Sequence, residues 1–131
     1  MFEPLDQKMP FEGPEKIDAN ALETFDYEYP GKDIEIDIST DEFTSVCPYS
    51  GLPDFGRLTV VYVPDRKCLE LRAFKYYLLS YRNVGIFYEH LVNHILDDLV
   101  AACRPKRMVV TGEFAPRGGL RTRATAQWPR P

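Results

Sequence analysis

The clearest pattern in the chain is the strict alternation of apolar and charged residues in DIEIDIST, residues 33–40, where Ile34, Ile36 and Ile38 share one face. A period of two predicts a half-buried strand, because successive side chains of a strand point to opposite sides. Runs rich in β-branched or alternating residues predict three more strands: RLTVVYV (57–63), RMVVTGEFAP (107–116) and LRTRATAQW (120–128).

Turn residues connect these strands. PDRK, residues 64–67, precedes CLELRAF, residues 68–74. Proline and aspartate favour tight turns, so we expect 68–74 to return beside the preceding strand as a hairpin. PRGGL, residues 116–120, has two glycines that can adopt positive φ, which indicates a second hairpin.

The apolar period then changes to that of a helix. FKYYLLSYRN predicts a short helix, and IFYEHLVNHILDDLVAACRP predicts one of about 17 residues that ends at Arg104 and Pro105. Strands joined by short turns pair antiparallel, and both helices are expected on one face. The pattern therefore predicts an α+β fold, an antiparallel sheet covered by two helices.

The N-terminal segment differs from the rest of the chain. Residues 1–30 contain Pro4, Pro10, Pro14 and Pro30 without a sustained period, which predicts an extended arm. Residues 31–131 are expected to form a single domain, as the length of 131 residues allows.

Composition narrows the function classes. A net charge of −4 argues against binding to duplex nucleic acid, since phosphate contacts need clustered Lys and Arg. No apolar run reaches the ~18 residues of a membrane span, and the N-terminus lacks the pattern of a secretory signal. Three cysteines, an odd number and far apart, predict free thiols in a reducing cytoplasm.

The stretch FTSVCPYSGLPDFG, residues 43–56, places Cys47 and Asp54 in a predicted loop. A thiolate is a nucleophile, and a carboxyl group of raised pKa is a general acid. A loop cysteine and a turn aspartate are more often a small packing residue and a turn former. Both interpretations stay open on spacing alone.

Other chemistry-bearing residues are individually weak signals. Glu70 and Glu89 are carboxylates that could bind the N–H groups of a guanine-like ring, although Glu89 is also favoured by the dipole at a helix start. His90 and His94 have a spacing compatible with one metal ion, but two ligands are weak evidence and we predict no metal. A basic set could bind phosphate or form a solvated surface: Arg72, Lys75, Arg117, Arg121 and Arg123.

Taken together, FTSVCPYSGLPDFG, YVPDRKCLELRAFKYYLLSYRNVGIFYEHLVN and GEFAPRGG resemble the 7-cyano-7-deazaguanine reductases, the NADPH-dependent nitrile reductases of queuosine biosynthesis, in their single-module form. The resemblance runs from about residue 43 to 119. It implies the tunnelling fold shared with GTP cyclohydrolase I. It also implies a homo-oligomer of two stacked pentameric rings with sites between subunits.

The resemblance further implies a role for each matching residue. Cys47 matches the nucleophile that forms a thioimide with the nitrile of the deazapurine, and Asp54 matches the proton donor. NADPH supplies two hydrides. Tyr88 stands where the family often has histidine, and Arg72 where it has lysine. Substrate contacts are implied for Leu69, Glu70, Leu71, Tyr88 and Glu89, and cofactor contacts for Arg72, Lys75 and Arg117.

Three alternatives remain open. A related amidinotransferase would add ammonia, without NADPH, to the same cysteine adduct. A zinc cyclohydrolase on the same fold would use His90, His94 and a cysteine. A ring-forming protein would bind a purine without turnover, and this last alternative is not an enzyme.

Overall fold

The computed structural model describes residues 9–131. Two short 3-10 turns, Pro14–Lys16 and Ala19–Ala21, precede the first strand. The remaining elements, in chain order, are β1 (Thr24–Asp26), β2 (Ile36–Val46), β3 (Pro53–Val63), β4 (Lys67–Leu69), α1 (Leu71–Leu79), α2 (Tyr88–Cys103), β5 (Arg107–Arg117) and β6 (Leu120–Trp128).

The main sheet has four antiparallel strands in the order β2-β3-β5-β6, and β1 pairs with β4 in a separate antiparallel ribbon. The predicted α+β class is confirmed. On the central strands, one face buries residues such as Leu58, Val60 and Val110, while the other carries charged residues such as Arg57 and Glu113. Each strand therefore separates an apolar core face from a polar face.

Helix α2 covers the apolar face where β5 and β6 lie. Its buried stripe follows the helical period and includes Leu91, Ile95 and Leu99, all fully buried. The helix ends where Arg104 adopts a left-handed φ of 45° before Pro105, which cannot donate a backbone hydrogen bond. The prediction for this helix is confirmed to within one or two residues at each end.

The predicted hairpin of 57–63 with 68–74 is wrong. Only Lys67–Leu69 is extended, and it pairs with β1 rather than β3. Glu70 then caps a helix, because its carboxylate accepts a hydrogen bond from the backbone N–H of Ala73 at 2.6 Å. The chain consequently turns into α1 at Leu71, and Glu70 is a cap rather than the strand residue that alternation predicted.

Residues 9–30 contact the rest of the chain through short backbone pairings with residues distant in sequence. Thr24 lies opposite Leu69 in the β1–β4 ribbon, and the backbone N–H of Glu70 donates to the carbonyl of Glu23 at 3.0 Å. The division into an arm (1–30) and a domain (31–131) stays a prediction, and residues 1–8 lie outside the described residues.

Strands β2 and β6 form the two edges of the main sheet, and neither pairs with another strand on its outer side in the described chain. The predicted ring of subunits stays a prediction. The unpaired edges of β2 and β6 leave room for a strand of another subunit. Between residues 9 and 131, no helix has both the length and the apolarity needed to cross a membrane.

Candidate active site

The loop between β2 and β3, residues 47–52, is closed by its own backbone. The N–H of Cys47 donates to the carbonyl of Leu52 at 2.9 Å, and the N–H of Gly51 donates to the carbonyl of Cys47 at 2.8 Å. Gly51 has a φ of 73°, a left-handed conformation in which a side chain is strained. The predicted loop is thus real but shorter than 43–56, because both strands extend into that stretch.

The thiol of Cys47 is half-buried and surrounded by hydrogen-bond donors. Burial alone would raise its pKa, but the hydroxyl and backbone N–H of Ser50 and the backbone N–H of Tyr49 hydrogen-bond to the sulfur, and the charge of Arg117 also favours the thiolate. The net effect is a lowered pKa for Cys47.

The other two cysteines have the opposite environment. Burial raises the pKa of Cys68, and it raises the pKa of Cys103 to about 12. Both are free thiols packed in the core, Cys68 on a strand and Cys103 at the end of a helix. Of the three cysteines, only Cys47 combines access with stabilisation of its thiolate.

Asp54 is the acid beside this loop. It is only 6% exposed, and its Oδ1 lies 2.5 Å from Nη2 of Arg117. The contact is an ion pair without hydrogen-bond geometry, and the same Nη2 group donates a hydrogen bond to the carbonyl of Pro53 at 3.1 Å. Burial of a carboxylate is costly without such a partner.

Ser45 lies directly opposite Asp54 in the β2–β3 register. Its side chain is fully buried, and its hydroxyl has no hydrogen-bond partner among residues 9–131. Directly opposed residues place their side chains on the same face of a sheet. An unpartnered polar atom of this kind is uncommon in protein interiors, and it lies beside the acid of the site.

Tyr88, the first residue of α2, completes the cluster from the helix side. Its ring stacks on Phe114 with centroids 3.8 Å apart and planes at 7°. Its hydroxyl hydrogen-bonds to Asp54, and burial together with that carboxylate raises the pKa of Tyr88 to about 12. Tyr88 therefore remains a neutral hydrogen-bonding group across the neutral pH range.

The start of α2 is held next to the cysteine loop by backbone pairing. The N–H of Val46 donates to the carbonyl of Val84 at 3.1 Å, and the N–H of Ile86 donates to the carbonyl of Val46 at 3.3 Å. Val46 immediately precedes Cys47, so this short bridge fixes the distance between the thiol and the first turn of the helix.

Three further candidates, Leu71, Arg72 and Lys75, lie on α1, whereas Leu69 is on β4 and Arg121 and Arg123 are on β6. A groove of about 300 Å³ between α1 and β2 is lined by Leu71 and Lys75 on the helix side and by Thr44 on the strand side. Arg72 and Lys75, three residues apart on this helix, are exposed, and neither forms a salt bridge within residues 9–131. Leu71, the first residue of α1, is 60% exposed.

Comparison with known proteins decides the family. A family model described as QueF-like protein matches residues 53–131. The NADPH-dependent 7-cyano-7-deazaguanine reductase of Caldanaerobacter subterraneus is 54% identical over 116 residues, covering 88% of this chain and 87% of that protein. The protein of the same name from Chlorobaculum tepidum is 54% identical over 112 residues, covering 86% and 96% respectively.

The chain belongs to the QueF-like protein family. A solved member, described as the archaeosine synthase QueF-Like in its apo form, superposes with a TM-score of 0.65 at 26% identity. The match covers 76% of this chain and 95% of that chain. The two proteins thus share their fold over nearly the whole length of the solved member.

Two groups of predicted site residues emerge within this QueF-like chain. Cys47, Asp54, Tyr88 and Arg117 interact in one cluster. The second group lies around the start of α1, and within residues 9–131 no hydrogen bond or ion pair joins it to the cysteine: Leu69, Glu70, Leu71, Arg72 and Lys75. Glu89 is exposed in the first turn of α2, next to Tyr88.

Sequence reasoning missed three residues of the QueF-like site. Tyr49 and Ser50 supply the donors to the thiol, and Ser45 is the buried hydroxyl opposite Asp54. The position of Ser45, two residues before the cysteine on an alternating strand, was the available signal. No sequence pattern indicated the hydrogen-bond donors of Tyr49 and Ser50, because their positions near the sulfur depend on how the loop folds.

His90 and His94 do not share a site. His90 is exposed, whereas Nδ1 of His94 lies 3.1 Å from the hydroxyl of Tyr81 and 3.2 Å from the carboxylate of Asp98. Over residues 9–131, no three His, Cys, Asp or Glu side chains are grouped so that they could hold a metal ion.

Proposed function

We propose that this chain is an NADPH-dependent reductase that converts the nitrile of 7-cyano-7-deazaguanine to the 7-aminomethyl group, a step of queuosine biosynthesis. Relatives at 54% identity over most of their length bear that name. The observation that carries the proposal is the cluster in which the Cys47 thiol, whose pKa is lowered, lies with Asp54 and Tyr88.

Cys47 is the proposed nucleophile. Its thiolate attacks the nitrile carbon, one C–N π bond breaks, and the nitrogen takes up a proton to give a thioimide. Covalent attachment divides a four-electron reduction into two hydride additions and retains the reactive imine in the site. The donors from Ser50 and Tyr49 favour the thiolate before substrate arrives.

Asp54 is the proposed source of the proton for the nitrile nitrogen. Its carboxyl group faces the same cluster as the thiol and hydrogen-bonds with the hydroxyl of Tyr88. The proton that leaves Cys47 can be held by Asp54 without changing the total charge of the pair. Arg117 then balances the one negative charge that the pair carries.

The groups on α1 fit the cofactor. NADPH, when bound, would supply the two hydrides of the reduction, and the substrate nitrogen would take up one proton with each. Arg72 and Lys75 present donors without acidic salt-bridge partners in the described chain, which suits phosphate oxygens. Arg117 is the weaker cofactor candidate, because its guanidinium is already paired with Asp54.

Glu89 is the proposed carboxylate for the purine-like ring, since a carboxylate accepts two N–H groups side by side. It follows Tyr88 and is exposed at the edge of the cluster.

Leu69, Glu70 and Leu71 are proposed to complete the substrate site from a neighbouring subunit. The separation of the two residue groups and the free edges of β2 and β6 support a ring, proposed as two stacked pentamers.

The decisive experiment follows NADPH absorbance with the nitrile as substrate and quantifies the amine. The proposal predicts two NADPH consumed per amine formed. NADPH oxidation that does not depend on the nitrile, or an amidine as the product, would refute it.

The second candidate is an amidinotransferase, favoured by the solved neighbour described as an archaeosine synthase. Ammonia, rather than hydride, would then add to the cysteine adduct. The higher identity to reductases, 54% against 26%, favours the reductase, as do Arg72 and Lys75, which form no salt bridge within residues 9–131. Supplying ammonium with and without NADPH separates the two reactions by product mass.

The reducing cytoplasm is the proposed location, consistent with three free thiols.

A further inference from the structure

A short N-terminal segment, Met9–Glu12, which we name the strap, crosses the cysteine loop. The N–H of Met9 donates to the carbonyl of Ser50 at 2.7 Å. At the other end, the N–H of Glu12 donates to the carbonyl of Asn83 at 2.8 Å, and its carbonyl accepts from the N–H of Gly85 at 2.8 Å. The strap therefore links the loop to the segment that leads into α2.

Two glycines allow the strap to lie this close. A Cβ atom at Gly51 would collide with the carbonyl oxygen of Met9, and one at Gly85 would collide with the ring of Phe11. Pro48, the residue after the nucleophile, lies against the same position of Gly85. The ring of Phe11 thus occupies space beside the cysteine loop that no side chain at position 85 could share.

Together with the pairing of Val46 to Val84, these contacts form a layered arrangement. The segment 83–86 lies between Val46 on one side and Glu12 on the other, with parallel bridges to both. The loop carrying Cys47 is consequently held at both of its ends, by strand pairing at Val46 and by the strap at Ser50. Ser50 is also the residue whose hydroxyl and N–H reach the sulfur.

We infer that the strap, and Phe11 in particular, positions the Cys47 loop so that Ser50 and Tyr49 direct their donors at the sulfur. Phe11 is a positioning residue: it acts through the loop and touches no reacting atom. Only the importance of the strap in catalysis rests on the proposed function. Its effect on the reactivity of the thiol can be measured without the nitrile.

The test is the pH dependence of iodoacetamide alkylation at Cys47, followed by intact mass and peptide mapping. Arg117 from β5 and Tyr88 from α2 interact electrostatically with this thiol, Asp54 from β3 interacts with both of them, and none of the three changes in the variants. In Phe11→Ala we expect the midpoint of alkylation to rise by about one pH unit, which slows the reaction about tenfold below the midpoint.

Matched variants separate positioning from general loss of stability. Phe25→Ala removes an aromatic ring from β1, where it is 54% exposed, and should leave the alkylation midpoint unchanged. Phe11→Tyr keeps the ring and should restore the midpoint. An unchanged midpoint in Phe11→Ala, even with lowered thermal stability, would overturn the inference.

A second variant approaches the same contact from the other side. Gly85→Ala introduces a methyl group into the space of the Phe11 ring, so it should raise the midpoint in the natural background. The effect should be smaller in the Phe11→Ala background, because only the Cα of Pro48, 3.1 Å away, then still crowds the methyl group. Additive effects of the two substitutions would contradict the proposed contact.

The two proposals fail in distinguishable ways. If the nitrile forms no adduct while Phe11→Ala still shifts the alkylation midpoint, the strap stands and the reductase proposal falls. If the nitrile forms an adduct at Cys47 while Phe11→Ala leaves the midpoint unchanged, the reductase proposal stands and the role of the strap is refuted.

Discussion

The guanidinium of Arg117, at the end of β5, lies 2.5 Å from the buried carboxylate of Asp54, at the start of β3. The two residues are 63 positions apart in the chain numbering, and the antiparallel pairing of β3 with β5 brings these ends together. The arginine supplies the positive charge that a buried acid beside a reactive thiol requires.

Arg117→Gln should raise the pH midpoint of Cys47 alkylation, because the charge of Arg117 lowers the pKa of that thiol. It should also lower the free energy of unfolding by about 1–3 kcal/mol, since Asp54 loses its partner. Arg123→Gln is the matched control, because its ion pair with Glu113 at 3.5 Å lies on the opposite face of the sheet. An Arg117→Gln midpoint equal to that of the natural protein would contradict the assigned contact.

Tyr88→Phe removes the hydroxyl that bonds to Asp54 and keeps the ring that stacks on Phe114. We expect turnover to fall by about 10- to 100-fold while the thermal midpoint stays near that of the natural protein. Tyr29→Phe, at a position 59% exposed, controls for loss of any tyrosine hydroxyl. Steady-state rates with unchanged turnover in Tyr88→Phe would remove Tyr88 from the mechanism.

Alkaline pH should unfold the protein in a defined window. Burial is the main cause that raises the pKa of Tyr62 and of Tyr88 to about 12, from an ordinary value of 10.0. Between these two pH values the two tyrosine hydroxyls ionise in the unfolded chain but stay neutral in the folded chain. Their contribution to the free energy of unfolding is therefore fully present below pH 10 and is lost as the pH rises through about 12. Tyrosinate absorbance and circular dichroism should therefore change together at high pH.

Tyr62→Phe is the matched variant for this window. It should lower stability at neutral pH, because the hydroxyl of Tyr62 accepts the backbone N–H of Leu69 at 2.9 Å, but its stability should depend less on alkaline pH. Complete tyrosine ionisation near pH 10 with circular dichroism intact would show that these hydroxyls are not buried as described.

Glu89→Ala should weaken binding of the deazapurine about tenfold or more and leave NADPH binding unchanged, because the carboxylate is proposed to hold only the purine-like ring. Asp97→Ala removes an exposed carboxylate from the same helix and serves as the control. Calorimetric titrations with each ligand give the comparison. An equal loss for both ligands would reject base recognition by Glu89.

The sequence predicted the elements whose apolar pattern is sustained over many residues and whose ends are marked by residues such as proline or glycine. Helix α2 has a sustained apolar stripe and a proline after it, so its position was predictable. The hairpin at 68–74 was wrong because Glu70 acts as a helix cap, which alternation alone does not reveal. The three-residue strands β1 and β4 are too short to show a period, and their pairing is a tertiary contact.

The candidate site was predictable in part for the same reason. Cys47 and Asp54 flank one hairpin loop, so their proximity follows from local sequence. Arg117 and Tyr88 reach them only through the register of β3 with β5 and the bridge from Val46 to Gly85. Such long-range placement carries no local signal, and the assignment of Arg117 to a phosphate missed its ion pair with Asp54.

The most direct test of the account is the intact mass of the protein after incubation with the nitrile in the absence of NADPH. We expect a mass increase of one nitrile per chain, located at Cys47 and absent from Cys47→Ala, while Cys68→Ala and Cys103→Ala still form the adduct. No mass increase in the natural protein, or an adduct that persists in Cys47→Ala, would contradict nucleophilic attack by Cys47.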